Sequence, residues 1–306
     1  ADRFPPSVAR IHSPLREVLV RGLRRLIAMP DLPDLLDRDP RALLTRALAS
    51  ATEAAEFLLT QRPRDLQVDA KSTATDAVTA MDRGSEALLV RLLLAGGAED
   101  GVLGEEGADR AGSSGVRWVI DPLDGTVNYL YGIPEWSVCV AAEVDGEVVA
   151  GVVHAPALGL VFSAARGHGA QCVALDESSS YAPKLGSETR LAHALVGTGF
   201  GYDAERRRRQ AVALTHIVPQ VRDIRRAGSA AIDLCRVAEG RYDGYFEMGL
   251  NPWDHAAAAL VVTEAGGVVG GLPGELVGAR MTIATNPALF GSLQAVVAEG
   301  MAIAGL

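Results

Sequence analysis

A short apolar run over residues 116–120 closes on Asp121-Pro122-Leu123-Asp124-Gly125-Thr126. The run has the length of a buried strand, and the residues after it leave the chain little freedom. Two carboxylates fall within four positions, Pro122 fixes the backbone between them, and Gly125 permits a tight turn. Paired hard oxygen ligands on a rigid turn suit Mg²⁺, which prefers carboxylates, water and substrate phosphate oxygens. If a helix starts near Gly125-Thr126, its free backbone N–H groups can also meet an anion. The same six residues read equally well as an Asx turn leading into a helix cap.

Two further acidic elements bear on that choice. Gly104-Glu105-Glu106-Gly107 sets two carboxylates in a glycine-bounded loop just before the strand. Trp253-Asp254-His255 opens a helix that runs to Glu264 and stops at Gly266-Gly267. Asp254 by itself reads as an N-cap. Together Glu105, Asp121, Asp124 and Asp254 supply carboxylates enough for two or three Mg²⁺ ions, and like charges packed this way need a cation.

The rest of the chain mixes helices and strands. Residues 41–61 and 85–95 carry helical periodicity, and the polar, Thr-rich segment 71–82 between them reads as a hairpin or loop. Ser137–Val144 and 147–154 flank Asp145-Gly146, a strong hairpin signal, and 160–164 continues the strand character. The second half predicts strands at Leu195–Thr198, 241–247 and 281–284, with helices over 203–219, 229–239, 254–265 and 287–302. Arg206, Arg207, Arg208 and Arg209 are consecutive, so on a helix they spread around it and read as solvated surface. Residues 1–40 stand apart as an extension with an arginine-bearing amphipathic helix, expected to dock on the protein itself or on a subunit.

Composition excludes several classes. With 48% hydrophobic and 22% charged residues among 306, the chain is neither disordered nor fibrous. A net charge of -9 disfavours nucleic acid as a partner, though a bound metal can reverse the sign locally. No apolar run reaches the roughly 18–20 residues that span a bilayer. The scattered arginines of residues 1–30 do not make a secretory signal. Cys139, Cys172 and Cys235 are few and dispersed, which predicts free thiols in a reducing cytoplasm and no part in catalysis.

Taken together, Asp121 to Thr126, Gly104 to Glu106 and the Trp253 to Gly267 segment resemble the inositol monophosphatase family of Mg²⁺-dependent, Li⁺-sensitive phosphatases. Lys71 to Asp82 is similar to the family's early loop, and Gly228-Ser229-Ala230-Ala231 and Tyr245-Phe246-Glu247-Met248-Gly249 are similar to its substrate-contacting stretches. The resemblance covers about residues 41–305. It implies an α+β fold, a layered α-β-α-β-α sandwich, with residues 41–305 as a phosphatase domain of two subdomains, approximately 41–185 and 186–305.

Position by position, the resemblance implies that Glu105, Asp121 and the carbonyl of Leu123 hold a first Mg²⁺. Asp121, Asp124 and Asp254 would hold a second, and a third ion would sit near Glu105. Thr126 with Glu105 would orient and activate the attacking water, with Asp76 and Asp82 as supporting acids and Lys71 as the loop lysine. Gly125 and Thr126 would bind the phosphate through their backbone. Gly228, Ser229, Ala230, Glu247, Asp124 and Asp254 would line the substrate. The expected activity is hydrolysis of myo-inositol 1-phosphate or a similar small polyol or sugar phosphate. Alternatives are the same chemistry on histidinol phosphate, fructose 1,6-bisphosphate, 3′-phosphoadenosine 5′-phosphate or another biosynthetic phosphate, and a non-catalytic binding or regulatory protein on the same fold. The expected partner is a small phosphorylated metabolite, and the expected assembly a homodimer. His255 is expected to pack behind the site, and Trp253 and Trp136 to serve packing. Gly201 departs from the proline many relatives carry.

Overall fold

The computed structural model describes residues 38–62, 68–70, 77–176 and 178–306. The amphipathic helix expected before residue 38, Lys71 and Asp76 lie outside the described residues.

In chain order the elements are α1 (Pro40–Thr60), β1 (Val68–Ala70), β2 (Ala77–Thr79), α2 (Ala80–Ala95), β3 (Gly101–Gly104), β4 (Asp109–Arg110), β5 (Val116–Asp124) and α3 (Thr126–Tyr131). The central hairpins follow as β6 (Ser137–Val144), β7 (Glu147–Ala155), β8 (Leu160–Ala165), β9 (Ala170–Ala174) and β10 (Ser180–Tyr181). The remainder comprises β11 (Leu195–Thr198), α4 (Ala204–Ile217), β12 (Asp223–Arg225), α5 (Ala230–Ala238), β13 (Gly244–Glu247), α6 (Pro252–Glu264), β14 (Val268–Gly270), β15 (Thr282–Thr285) and α7 (Phe290–Ala304).

Helix α1 starts where its sequence provides a cap. The Asp39 carboxylate accepts from the N–H of Arg41 at 2.8 Å, and Pro40 takes the first helical position, where a missing N–H costs nothing. Its buried stripe of Leu43, Ala47, Leu48, Ala51, Ala55 and Leu58 lies against β6 and β7. The eight-stranded sheet runs β10-β9-β8-β7-β6-β5-β3-β4 and is antiparallel except where β3 and β5 are parallel. At the β6–β7 turn Asp145 and Gly146 both have positive φ, 52° and 88°, as a two-residue turn that follows the strand twist demands.

The five-stranded sheet runs β12-β11-β13-β15-β14, with β11 parallel to both β12 and β13. Its two halves of contact complete five layers: α1 and α2, the large sheet, α5 and α6, the small sheet, then α4 and α7. Alternation along each strand sorts side chains between layers. Ile120, Val140 and Ala142 face α1 and α2, while Val119, Cys139 and Ala141 face α5 and α6. In the small sheet Tyr245 and Ala284 join the middle layer, and Phe246 and Ile283 pack against α4 and α7. The α-β-α-β-α expectation holds.

Several boundaries differ. The strand expected over 116–120 continues through Asp124, because Asp124 pairs with Ser137 after a bulge that follows Asp121. The helix expected at 85–95 begins at Ala80, and the strand expected over 241–247 begins at Gly244. Short elements such as β3, β4, β12, β14 and α3 carry too few residues to display a period. Among the described residues no helix is long and apolar enough to cross a membrane.

Candidate active site

The end of β5 fixes the first two acids. Asp121 is buried, and its Oδ1 accepts from the N–H of Leu123 at 3.0 Å, so the Asx-turn reading is realised in the structure. Gly125 has φ 89°, and a Cβ there would lie 2.9 Å from the carbonyl oxygen of Glu135, so only glycine fits. The turn delivers Thr126, whose hydroxyl reaches the carbonyl of Leu123 at 3.1 Å and Asp82 Oδ1 at 3.2 Å. Asp82 is buried in the first turn of α2, and neighbouring Ser85 donates to the carbonyl of Pro122 at 2.9 Å.

Asp124 joins the two sheet systems. Its Oδ2 accepts from Ser229 Oγ at 2.5 Å, from the N–H of Ala231 at 3.0 Å and from Ser137 Oγ at 3.5 Å. Ser229 is the N-cap of α5, so the helix start and the strand end share one carboxylate. Glu105 sits in the turn after β3. That turn is held by Glu86 on α2, which accepts from the N–H groups of Glu106 and Ala108 at 2.8 and 2.9 Å.

Asp254 corrects an expectation. It occupies the third position of α6, and Asn251 is the N-cap. The two form a capping box, with the N–H of Asn251 donating to Asp254 Oδ2 at 2.6 Å. The Asp254 carboxylate is thus held at a helix start without being the cap itself. His255 packs beneath the helix with Nδ1 buried and unpartnered, and burial lowers its pKa to about 4, so it is neutral.

A cavity of about 460 Å³ brings together Glu105, Asp121, Leu123, Asp124, Gly125, Thr126, Gly228, Ser229, Ala230, Glu247 and Asp254. Glu106, the second acid of its loop, does not line it. Trp253 lines the cavity edge while packing on the middle layer, and Trp136 is buried edge-on against Tyr129 with ring centres 5.0 Å apart. Asp121 is pushed well above the usual carboxylate range, first by burial and then by Glu105, Asp124 and Asp254. Burial followed by Glu105 does the same to Asp254. Glu247, at the end of β13, rises to about 7 through burial, opposed by a 2.5 Å hydrogen bond from Tyr245 and by Arg226.

Buried, hard, mutually repelling oxygens fit a divalent cation. Among the described residues, no group of three or more His, Cys, Asp or Glu side chains is drawn together closely enough to hold a metal ion by itself.

Several lining residues escape the sequence reading, Asp233, Thr198, Arg206 and Arg226 among them. Asp233, one turn into α5, is buried with Oδ1 unpartnered, and burial raises it to about 8. Its spacing of three from Ala230 puts both on one helix face, the single cue available. Thr198 comes from β11. Arg206 and Arg226 also line the cavity, and Arg206 is at the same time exposed, as expected for the arginine run. Arg208 and Arg209 do behave as expected, pairing with Glu205 at 2.7 and 3.1 Å. Cys235 and Arg241 have five residues between them, the spacing of a cysteine-phosphatase loop, but Cys235 is fully buried within α5 and burial pushes its thiol up. Cys139 and Cys172 are likewise free and buried.

Residues 39–302 match the inositol monophosphatase family. The chain belongs to that family. It is 44% identical over 245 residues to a Mycobacterium tuberculosis protein named inositol-1-monophosphatase SuhB, covering 75% of this chain and 84% of that protein. It is 38% identical over 231 residues to the Pasteurella multocida Nus factor SuhB, covering 74% and 84%. The extragenic suppressor protein suhB of Bartonella henselae superposes with a TM-score of 0.76 at 33% identity, covering 85% of this chain and 99% of that one. This member of the inositol monophosphatase family is a phosphoric monoester hydrolase. The family is metal-dependent and acts on small phosphorylated substrates.

Proposed function

We propose that the chain hydrolyses myo-inositol 1-phosphate or a similar small polyol or sugar monoester, using two or three Mg²⁺ ions. The observation that carries this reading is the convergence of Glu105, Asp121, Asp124 and Asp254 with Thr126 and Glu247 in one cavity. Glu105, Asp121, the Leu123 carbonyl, Asp124 and Asp254 would hold the ions. Bound there, Mg²⁺ lowers the pKa of water and offsets charge on the phosphoryl oxygens.

The protein's own groups do the positioning. Thr126 and Glu105 orient the attacking water and take up its proton, and Asp82 fixes the rotamer of Thr126 through their 3.2 Å hydrogen bond. Asp76, outside the described residues, is assigned a supporting role. The N–H groups of Gly125 and Thr126 bind the phosphate. Gly228, Ser229 and Ala230 form the wall against the alcohol, and Glu247 and Asp124 accept hydrogen bonds from its hydroxyls. Attack in line opens the P–O bond to the alcohol, which leaves with a proton.

A homodimer with residues 41–185 and 186–305 as subdomains completes the reading, and the three free thiols support a cytoplasmic setting. The test is phosphate release from myo-inositol 1-phosphate, histidinol phosphate, fructose 1,6-bisphosphate and 3′-phosphoadenosine 5′-phosphate, with and without chelator. Chelator-sensitive release led by myo-inositol 1-phosphate supports the proposal. Preference for any of the other three overturns the substrate, and release that survives chelation overturns the metal.

A further inference from the structure

Two neighbouring strands of the small sheet match each other residue for residue beside the cavity. Gly197 lies on β11 and Gly199 just past its end, while Tyr245 and Glu247 lie on β13. The strands are parallel neighbours, with Gly197 opposite Tyr245 and Thr198 opposite Phe246. Residues two apart share a face, so each glycine stands beside one of the two polar side chains. A Cβ on Gly197 would lie 3.1 Å from Tyr245 Cδ2, and one on Gly199 would overlap both oxygens of the Glu247 carboxylate. The glycine pair leaves room for a phenol ring and, one step along, for a carboxylate lying flat on the backbone.

Tyr245 is fully buried in the middle layer, where a phenol O–H needs a partner. It donates to Glu247 Oε2 at 2.5 Å. Burial raises the phenol well above its ordinary range, so Tyr245 keeps its proton and stays the donor. Glu247 lines the cavity and Tyr245 does not. Among the described residues Glu247 Oε1 has no hydrogen-bond partner. A carboxylate with both oxygens free can turn about its last bond and accept from several directions. Here one oxygen is taken and one face rests on Gly199, so the direction of the other oxygen is fixed.

We infer that Tyr245 is a positioning residue for substrate choice: its hydroxyl holds Glu247 over Gly199, so that Oε1 accepts from one hydroxyl of the alcohol and no other. The inference rests on the phosphomonoesterase reading of the cavity, in which Glu247 meets the alcohol. A site built around one hydroxyl rejects the analogue that lacks it, because the acceptor is then left unpaired. Without the clamp the rejection weakens, since a turning carboxylate finds another hydroxyl or water.

The test measures initial phosphate release in Mg²⁺ from myo-inositol 1-phosphate and from its monodeoxy analogues, each lacking one hydroxyl. The parent chain, Y245F and E247A are compared. The parent should disfavour at least one analogue by about tenfold or more in kcat/KM. Y245F keeps the ring and removes only the donor. It should shrink one such penalty by about fivefold, through a higher KM for myo-inositol 1-phosphate, and leave the other penalties as they were. E247A should shrink the same penalty. A parent that accepts every analogue alike overturns the inference, and that readout needs no variant. So does an equal loss by Y245F on every compound, a Y245F profile identical to the parent's, or a penalty that Y245F moves and E247A does not. Failure of Y245F to fold would make the phenol a structural group and overturn it as well. Release from myo-inositol 1-phosphate without any such penalty sinks this inference alone. Absence of release from every compound sinks the phosphatase reading with it.

Discussion

The two ends of the cavity are built differently. At the floor, every acid with a resolved hydrogen bond is fastened to main chain: Asp121 to the N–H of Leu123, Asp124 to that of Ala231, Asp254 to that of Asn251. At the rim, Arg206 and Arg226 reach out on long exposed side chains. Backbone anchoring fixes position at little side-chain entropy, which suits groups that must hold geometry to within fractions of an ångström. Long arginines tolerate ligands of different size. The floor sets which bond is broken, and the rim leaves latitude in what carries it.

The strongest way to break this contrast is Asp121→Asn. Removing a central floor charge should lower kcat by about 10³-fold or more while melting is maintained or improved, since a buried, repelled carboxylate is gone. Near-parental turnover would show that the floor is not the reacting end.

Glu247 sits between the two ends and tests electrostatics. Burial, as the first cause, pushes its carboxyl from the ordinary 4.5 up to about 7 in the fold. The folded chain therefore binds the extra proton between those values, and stability falls as pH rises from about 4.5 to about 7. Glu247→Gln should remove about 3 kcal/mol of that fall in chelated protein, read from urea midpoints at pH 4.5 and 8. An unchanged pH slope would contradict it.

Gly125→Ala probes the scaffold of the floor. Positive φ plus a 2.9 Å approach to the Glu135 carbonyl should cost about 2 kcal/mol, visible as a lower melting temperature together with lost turnover. Loss of turnover with full stability would assign Gly125 to phosphate binding alone. The smallest effect belongs to Arg208→Ala at the outward side of α4. Melting and turnover should both match the parent, and a clear rise in KM would erase the distinction between the cavity-lining Arg206 and the outward Arg208.

Legibility followed the same division. Asp121, Asp124 and Thr126 could be read because their setting is local: a strand, a proline and a glycine within ten residues. Glu105 and Asp254 were legible through glycine-bounded and helix-start contexts, although the capping box with Asn251 was not distinguished from a lone cap. The five layers came with the family resemblance, since the patterns themselves indicated only mixed helices and strands; β3 was not read, and α3 entered only as a helix start near Gly125-Thr126. Arg206 could not be separated from Arg207, Arg208 and Arg209 in sequence. What separates them is the phase of α4, set by Asp203 accepting from the N–H of Arg206 at 2.8 Å, and a loop packed from elsewhere. Asp233 looked like any polar helix residue, since nothing local marks which face of α5 meets the cavity.

The carboxylate of Asp124 has one further consequence. It belongs to the large sheet, yet it is clasped by the first turn of α5, which packs on the small one. Pulling the halves of the molecule apart strips that carboxylate of Ser229 and Ala231 at the same moment. Turnover therefore acts as a fuse for the joint: an intermediate with either half folded and the joint open should be silent. Loss of activity during denaturation should then track separation of the layers and precede loss of helix signal wherever the two transitions part.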